Sequence, residues 1–405
     1  MSGKWPGGFI KKTAPTVVGP VDGEGGTASG IWTLDQAADY EKQGLWPKPV
    51  LSRDLFVWGW NGSGRLGLGD TVNRNSPVQV GALITWSRVS GGSDFGVAIK
   101  TDSTLWSWGV NGNGQLGQGN LTSYSSPVQI GALTNWRQAT AGKFHTAATK
   151  TDGTLWSWGR NTFGQLGDGT AIGRSSPVQV GALTTWLNTA AGYGHTLATK
   201  TDGTLWSWGR NSQGELGQGG TTVRSSPVQV GALTTWDEVA CGSIFSFATK
   251  TDGTLWSWGY NSSGQLGQGN TTTLNSPVQV GALTTWLNTA AGYGFALASK
   301  TDGTLWSWGY NVQGQLGLGD AINRSSPVQV GALTTWDEPV AGQTFSLATK
   351  TDGTLWSWGH NVYGQLGHGN TTTLSSPVQV GALTTWITPQ KMTMSFGSSY
   401  ATTKG

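Results

Sequence analysis

The chain has 405 residues, only 11% of them charged, and a formal net charge of +3. That balance gives no case for nucleic acid, which calls for a dense Lys/Arg face. The single cysteine, Cys241, excludes internal disulfides and thiolate zinc sites, and no run approaches the ~18 apolar residues of a membrane span.

Residues 1–30 are rich in Gly and Pro, carry Lys4, Lys11 and Lys12, and show no period. They read as an extended arm that does not fold alone. The opening Met-Ser-Gly-Lys-Trp-Pro-Gly-Gly lacks the apolar core of a signal peptide, so synthesis in a cytoplasm is expected. Thr33 with Gln36 forms a capping box, and Gly44 is a stop signal, which predicts one short helix over residues 34–43. Leu34, Ala37 and Ala38 share a face between Trp32 and Trp46. Residues 1–50 are thus expected to be an attachment arm, with Trp5, Phe9, Trp32, Leu34, Tyr40 and Trp46 as candidate anchoring residues. The alternative is that the helix packs on the side of the domain that follows.

From residue 51 the chain repeats. Thr151-Asp-Gly-Thr-Leu-Trp-Ser-Trp-Gly159, followed by Asn161-x-x-Gly-Gln-Leu-Gly167, returns in steps of 50 residues. Its first copy is worn to Leu55-Phe-Val-Trp-Gly59, and its second reads Thr101-Asp-Ser-Thr. Within one unit, Leu155-Trp-Ser-Trp158 alternates large and small residues as a half-buried strand does. The preceding Thr-Asp-Gly-Thr is a tight turn, with Asp152 capping it and Gly153 able to take positive φ. Phe144–Thr149 is the predicted partner strand. Ser176-Pro-Val-Gln-Val180, with Pro at its second residue, is the predicted outer edge. Trp186–Ala190 starts the next sheet. The compact Asn161–Gly167 turn is expected to plant Leu166 inward. Twenty of the 24 Trp occupy repeat positions and are expected to form the core.

Four short strands per unit without a helical period indicate an all-β propeller. The repeats begin halfway through a unit and end halfway through one, with six complete units between them. The expected architecture for residues 51–405 is therefore a seven-bladed β-propeller closed by pairing of N- and C-terminal half-blades, which removes open sheet edges.

The Thr-Leu-Trp-Ser-Trp-Gly-x-Asn-x-x-Gly-Gln-Leu-Gly signature resembles the repeat of the regulator of chromosome condensation 1 family, which implies a seven-bladed propeller. The family's founding member is a nucleotide exchange factor for a small GTPase and binds chromatin, using a β-wedge insertion and a basic N-terminal tail. Here the unit length stays at 50 residues and the arm has three Lys in 30, so exchange is the last-ranked expectation. Gly7-Gly-Phe-Ile10 and the stretch Ser29–Pro47 resemble leader segments of tailed-bacteriophage structural proteins. That resemblance implies a virion protein, made in a host cytoplasm, whose residues 1–47 bind other virion proteins.

No nucleophile–base–acid set appears, so no enzyme, cofactor or metal site is expected. His145 and His195 share a slot with Phe95, Phe245, Phe295, Phe345 and, by the 50-residue step, Ser395. A slot that accepts Phe so often reads as packing. His360 and His368 lie on variable loop positions.

The slot after Trp-Gly holds Trp60, Val110, Arg160, Arg210, Tyr260, Tyr310 and His360, with Phe163 and Tyr363 nearby. By symmetry these positions ring one face of the propeller. Aromatic and Arg side chains are enriched at binding hot spots and suit stacking on sugars. Trp60, Arg160, Phe163, Arg210, Tyr260, Tyr310, His360 and Tyr363 are the candidate recognition residues. Surface drift is the competing explanation for the variation.

The expected function is a non-enzymatic phage virion element, a tail fibre or capsid-surface protein, whose propeller meets a protein or a host-surface glycan. The alternative is a cytoplasmic protein-interaction scaffold. Neither membrane insertion nor nucleic acid is expected, and homo-oligomers are compatible with the sequence.

Overall fold

Each blade is set by its turn chemistry. In every turn from 102 to 352 the Asp carboxylate caps the backbone two residues on. Asp152 Oδ1 accepts from Thr154 N at 2.9 Å and from Thr154 Oγ1 at 2.6 Å. Gly153 takes φ +75° there, and a Cβ on it would collide with the Thr184 carbonyl. The equivalent Ser103 is the one non-Gly residue at positive φ, 60°, among the described residues.

The computed structural model describes residues 53–82, 85–387 and 397–403. The predicted helix and the anchoring candidates Trp5, Phe9, Trp32, Leu34, Tyr40 and Trp46 lie outside them. The described residues form seven four-stranded antiparallel sheets and no helix; none of them therefore supplies a helix long and apolar enough to cross a membrane.

One blade runs from an inner strand, Trp186–Ala191, through His195–Lys200 and Leu205–Gly209 to an outer strand, Arg224–Gln229. The inner strands pack against one another round the ring. The outer strands begin two residues earlier than the sequence suggested. Pro177 therefore sits mid-strand within Arg174–Gln179, not near the first position. The ladder shifts register between Arg174 and Val178, so the missing proline N–H leaves no gap.

The seventh blade joins the two ends of the chain: Leu55–Gly59 and Arg74–Gln79 pair with Trp386–Ile387 and Ser398–Thr403. Here the 50-residue step fails. Gly59 pairs with Ser398, whereas Gly109 pairs with Phe95 and Gly159 with His145. Ser398, not Ser395, fills the shared slot, because three more residues separate it from Trp386 than separate Phe95 from Trp86.

The Trp series divide into two classes. Trp58 to Trp358 are fully buried, and Trp86 to Trp386 are at most 4% exposed. Each withdraws ~150–250 Å² from water, about 4–6 kcal/mol before entropy is subtracted. Trp106 to Trp356 are only half-buried, so this third series lies at the margin of the core. The Nε1–H groups of the Trp58 series fasten blade to blade. Trp208 donates to Gln165 O at 2.9 Å, and Trp58 to Gln365 O at 2.9 Å, which closes the ring.

His145 and His195 are fully buried. Thr196 Oγ1 donates to Gln165 O, so its oxygen is free to accept from His145 Nε2 at 2.9 Å. Ser246 relates to Glu215 O and His195 Nε2 in the same way. Neither Nδ1 has a partner, which fits a neutral ring with its proton on Nε2. Burial lowers His145 to about 4. Burial, with smaller contributions from His145 and Arg210, lowers His195 to about 3.

Candidate recognition face

The slot after Trp-Gly lies where the third strand leaves the sheet, and its backbone is fixed. Arg210 N donates to Gly194 O at 2.7 Å, Arg160 N to Phe144 O at 2.9 Å and Trp60 N to Gly397 O at 2.7 Å. The loop between the first two strands therefore meets this slot at the same end of every blade. Beyond it, Asn161 organises the turn. Its Oδ1 accepts from Leu166 N at 3.0 Å, and its Nδ2 donates to carbonyls at Thr170 and Ile172. Leu166 is buried as expected.

All eight candidate residues are half-buried and lie at this end. They do not form one uniform ring; two clusters stand out. In the first, Phe163 of one blade leans on Gly194 of the next, with its ring beside the Arg210 Cβ. Arg210 stands 5.9 Å from the Phe163 ring and 5.6 Å from that of Tyr193. Arg160 stands 5.5 Å from Phe144, and Lys143 Nζ lies 4.4 Å from Tyr193. Phe144 and Tyr193 meet edge to face at 6.1 Å. Cation–π contacts of this kind contribute ~0.5–1 kcal/mol each at exposed sites. Arg210 Nε is 3.5 Å from the buried Glu215 carboxylate, whose pKa burial raises.

In the second cluster, Trp60 stacks on Tyr363 at 5.2 Å with 20° between the planes, and His360 meets Tyr363 edge-on at 6.5 Å. Tyr363 leans on Gly397 as Phe163 leans on Gly194. Arg65 lies 3.5 Å from the Trp60 ring and pairs with Asp94 at 2.6 Å. Burial lowers the Arg65 pKa, and Asp94 opposes the shift. Tyr260 and Tyr310 join neither cluster; Tyr310 Cβ packs beside Gly294.

Lys143, Phe144 and Tyr193 were missed from the sequence. Their signal was present: residues 93–94 and their counterparts vary freely just after a constant glycine, Gly92 to Gly342. Three arginines that lie just before Ser-Pro fasten their own loops. Arg74 pairs with Asp70, Arg174 with Asp168 and Arg324 with Asp320. Among the described residues no group of three His, Cys, Asp or Glu is arranged to hold a metal.

Comparison with known proteins bears on the frame of this face. Residues 50–298 match the model of the RCC1-like domain. Residues 302–349 and 352–398 match the regulator of chromosome condensation (RCC1) repeat. No curated protein sequence matches the chain. Among solved structures, human WBSCR16 is similar at 22% identity and TM-score 0.77, over 87% of this chain and 99% of that one. Yeast RCC1 (Prp20), in a crystal structure with Kap60 bound, is similar at 21% identity and TM-score 0.75, over 88% and 89%. The Prp20p structure from Saccharomyces cerevisiae, described with its binding properties to Gsp1p and histones, gives 21% and 0.75 over 91% and 94%. At these identities the likeness is one of fold.

Proposed function

This chain belongs to the RCC1-like domain family, and we propose that its propeller is a non-enzymatic recognition module carried on a bacteriophage virion by its N-terminal segment. The observation that carries the recognition reading is the cluster of Phe144, Arg160, Phe163, Tyr193 and Arg210. Two blades contribute aromatic and cationic side chains to one end of the ring, on a backbone held by hydrogen bonds. Rigid aromatic and Arg anchors are the residue types that concentrate binding energy. The partner on this reading is a protein or a host-surface glycan. The virion reading rests on the resemblance of residues 7–10 and 29–47 to phage leader segments.

Two experiments test the proposal. A glycan and host-surface binding screen compares the parent with Phe163→Ala and Arg210→Ala; equal binding by all three sinks the recognition face. Deletion of residues 1–47 tests anchoring. Undiminished incorporation of the truncated protein into particles removes that role.

A cytoplasmic protein-interaction scaffold is the second reading. Its support is that the similar yeast RCC1 (Prp20) has been crystallised with Kap60 bound. Nucleotide exchange ranks last, because six units keep a strict 50-residue step without room for a wedge. Nucleotide release from small GTPases should stay at background.

A further inference from the structure

At the opposite end of the blades, beside the Thr-Asp-Gly turns, a groove recurs between neighbouring blades. Three copies have volumes of ≈ 500, ≈ 510 and ≈ 380 Å³. One copy is lined by Trp286, Trp306, Lys300, Pro327 and Leu283. The lysine is sandwiched. Lys300 Nζ sits 3.6 Å from the Trp306 ring centroid and 4.7 Å from that of Trp286. Lys100, Lys150, Lys200, Lys250 and Lys350 repeat this geometry, at 3.6–3.8 Å from the half-buried indole.

Five of these lysines are buried along their length and Lys250 is half-buried. Lys300 is 5% exposed and Lys150 5%. Yet among the described residues no carboxylate comes within ion-pair distance of any of them. Asp302 acts on Lys300 only from farther away, its Oδ1 being held by Thr304. Each stem packs against the indoles, and the ammonium, held on their π faces without an ion pair, lines the groove where an anion could reach it. Beside Lys300 and Lys150 lies an apolar ledge: a half-buried Trp and a leucine that is about half exposed, Leu283 at 46% and Leu133 at 49%.

The described residues of the closing blade show no such pair. Thr403 stands where the lysine belongs, opposite Trp386, and Phe56 replaces the outer indole. Among the described residues there are therefore six Lys–Trp sites of one kind, three of them in the grooves above, and a seventh position where the register places Thr403.

We propose that the six Lys–Trp sites are equivalent subsites for a carboxylated sugar residue, which makes the propeller a multivalent binder of acidic polysaccharide. The carboxylate would meet the lysine, and the C–H face of the pyranose would lie on the Trp and Leu ledge. Repetition round the ring suits a polymer better than a single small ligand. This site is separate from the face with Phe163 and Arg210, and the two stand or fall independently.

The test is titration calorimetry on the full chain with five probes: an oligogalacturonate, a neutral galactose oligomer of equal length, sulfate, the galacturonate monomer and polygalacturonate. The expected result is several oligogalacturonate sites per chain, with the neutral oligomer at least ~10-fold weaker and polygalacturonate at least ~100-fold tighter than the monomer. Lys300→Gln should lower the site count, and Phe56→Trp with Thr403→Lys should raise it. Phe163→Ala should change neither. Equal binding of acidic and neutral oligomers, sulfate binding as strong as oligogalacturonate, or a site count indifferent to Lys300→Gln would overturn the proposal. The comparison of probes on the unmodified chain needs no variant to fold.

Discussion

Replacing both buried histidines by phenylalanine should flatten the acid limb of the stability profile. The two rings are neutral in the fold, with folded values of about 4 for His145 and about 3 for His195 against 6.5 in an unfolded chain. Both shifts are downward, so the unfolded chain binds the proton first as pH falls. The stabilisation is complete above 6.5, declines as pH drops through that value, and stops declining only near the folded values. Between about pH 7 and about pH 5 the loss depends almost entirely on the unfolded titration. It amounts to about 2 kcal/mol per histidine and about 4 kcal/mol for the pair. Phe is the natural replacement, since Phe95, Phe245, Phe295 and Phe345 fill the same slot. Thr196 and Ser246 keep their carbonyl partners without the imidazoles. Urea denaturation followed by Trp fluorescence, repeated across this range, should show the ~4 kcal/mol loss in the parent and its removal in His145→Phe with His195→Phe. Burial also lowers His360 and His368, so a weaker slope of the same sign should remain. An unchanged slope in the double variant would refute the assignment of buried neutral rings.

Three further outcomes are expected. Tyr400→Ala in the closing strand should cost ~3–5 kcal/mol in chemical denaturation, since Tyr400 is fully buried against Trp108. Tyr400→Phe should cost about 1 kcal/mol or less, because Arg65 O loses the hydroxyl but keeps the Trp108 Nε1 donor at 2.8 Å; equal costs for the two variants would contradict this packing. Ser103→Gly should stabilise the fold by about 1 kcal/mol, measured by the denaturation midpoint, by relieving its φ of 60°. Gly153→Ala should destabilise by more than that gain, because its Cβ meets the Thr184 backbone.

The period of 50 residues carried most of the fold into the sequence. A Thr-Asp-Gly turn is a local device, so its geometry could be read from the letters. Half a unit at each end of the repeat array is enough to announce a closed seventh blade. The candidate residues were placed by counting from the constant Trp-Gly, and all eight do lie at one end of the blades.

What periodicity could not give was the neighbour across a blade boundary. Phe163 meets Gly194 and Arg210, residues of the next sheet, because the blades are wedged side by side round a ring. Lys143, Phe144 and Tyr193 joined that cluster only once a second loop was seen to reach the same end. The slip from Ser395 to Ser398 arises where the ring must close, and only strand pairing fixes that register. The half-buried Trp series and its sandwiched lysines belong to the same class. Counting equates positions within a blade, while burial and contact between blades are set by the curvature of the assembled ring.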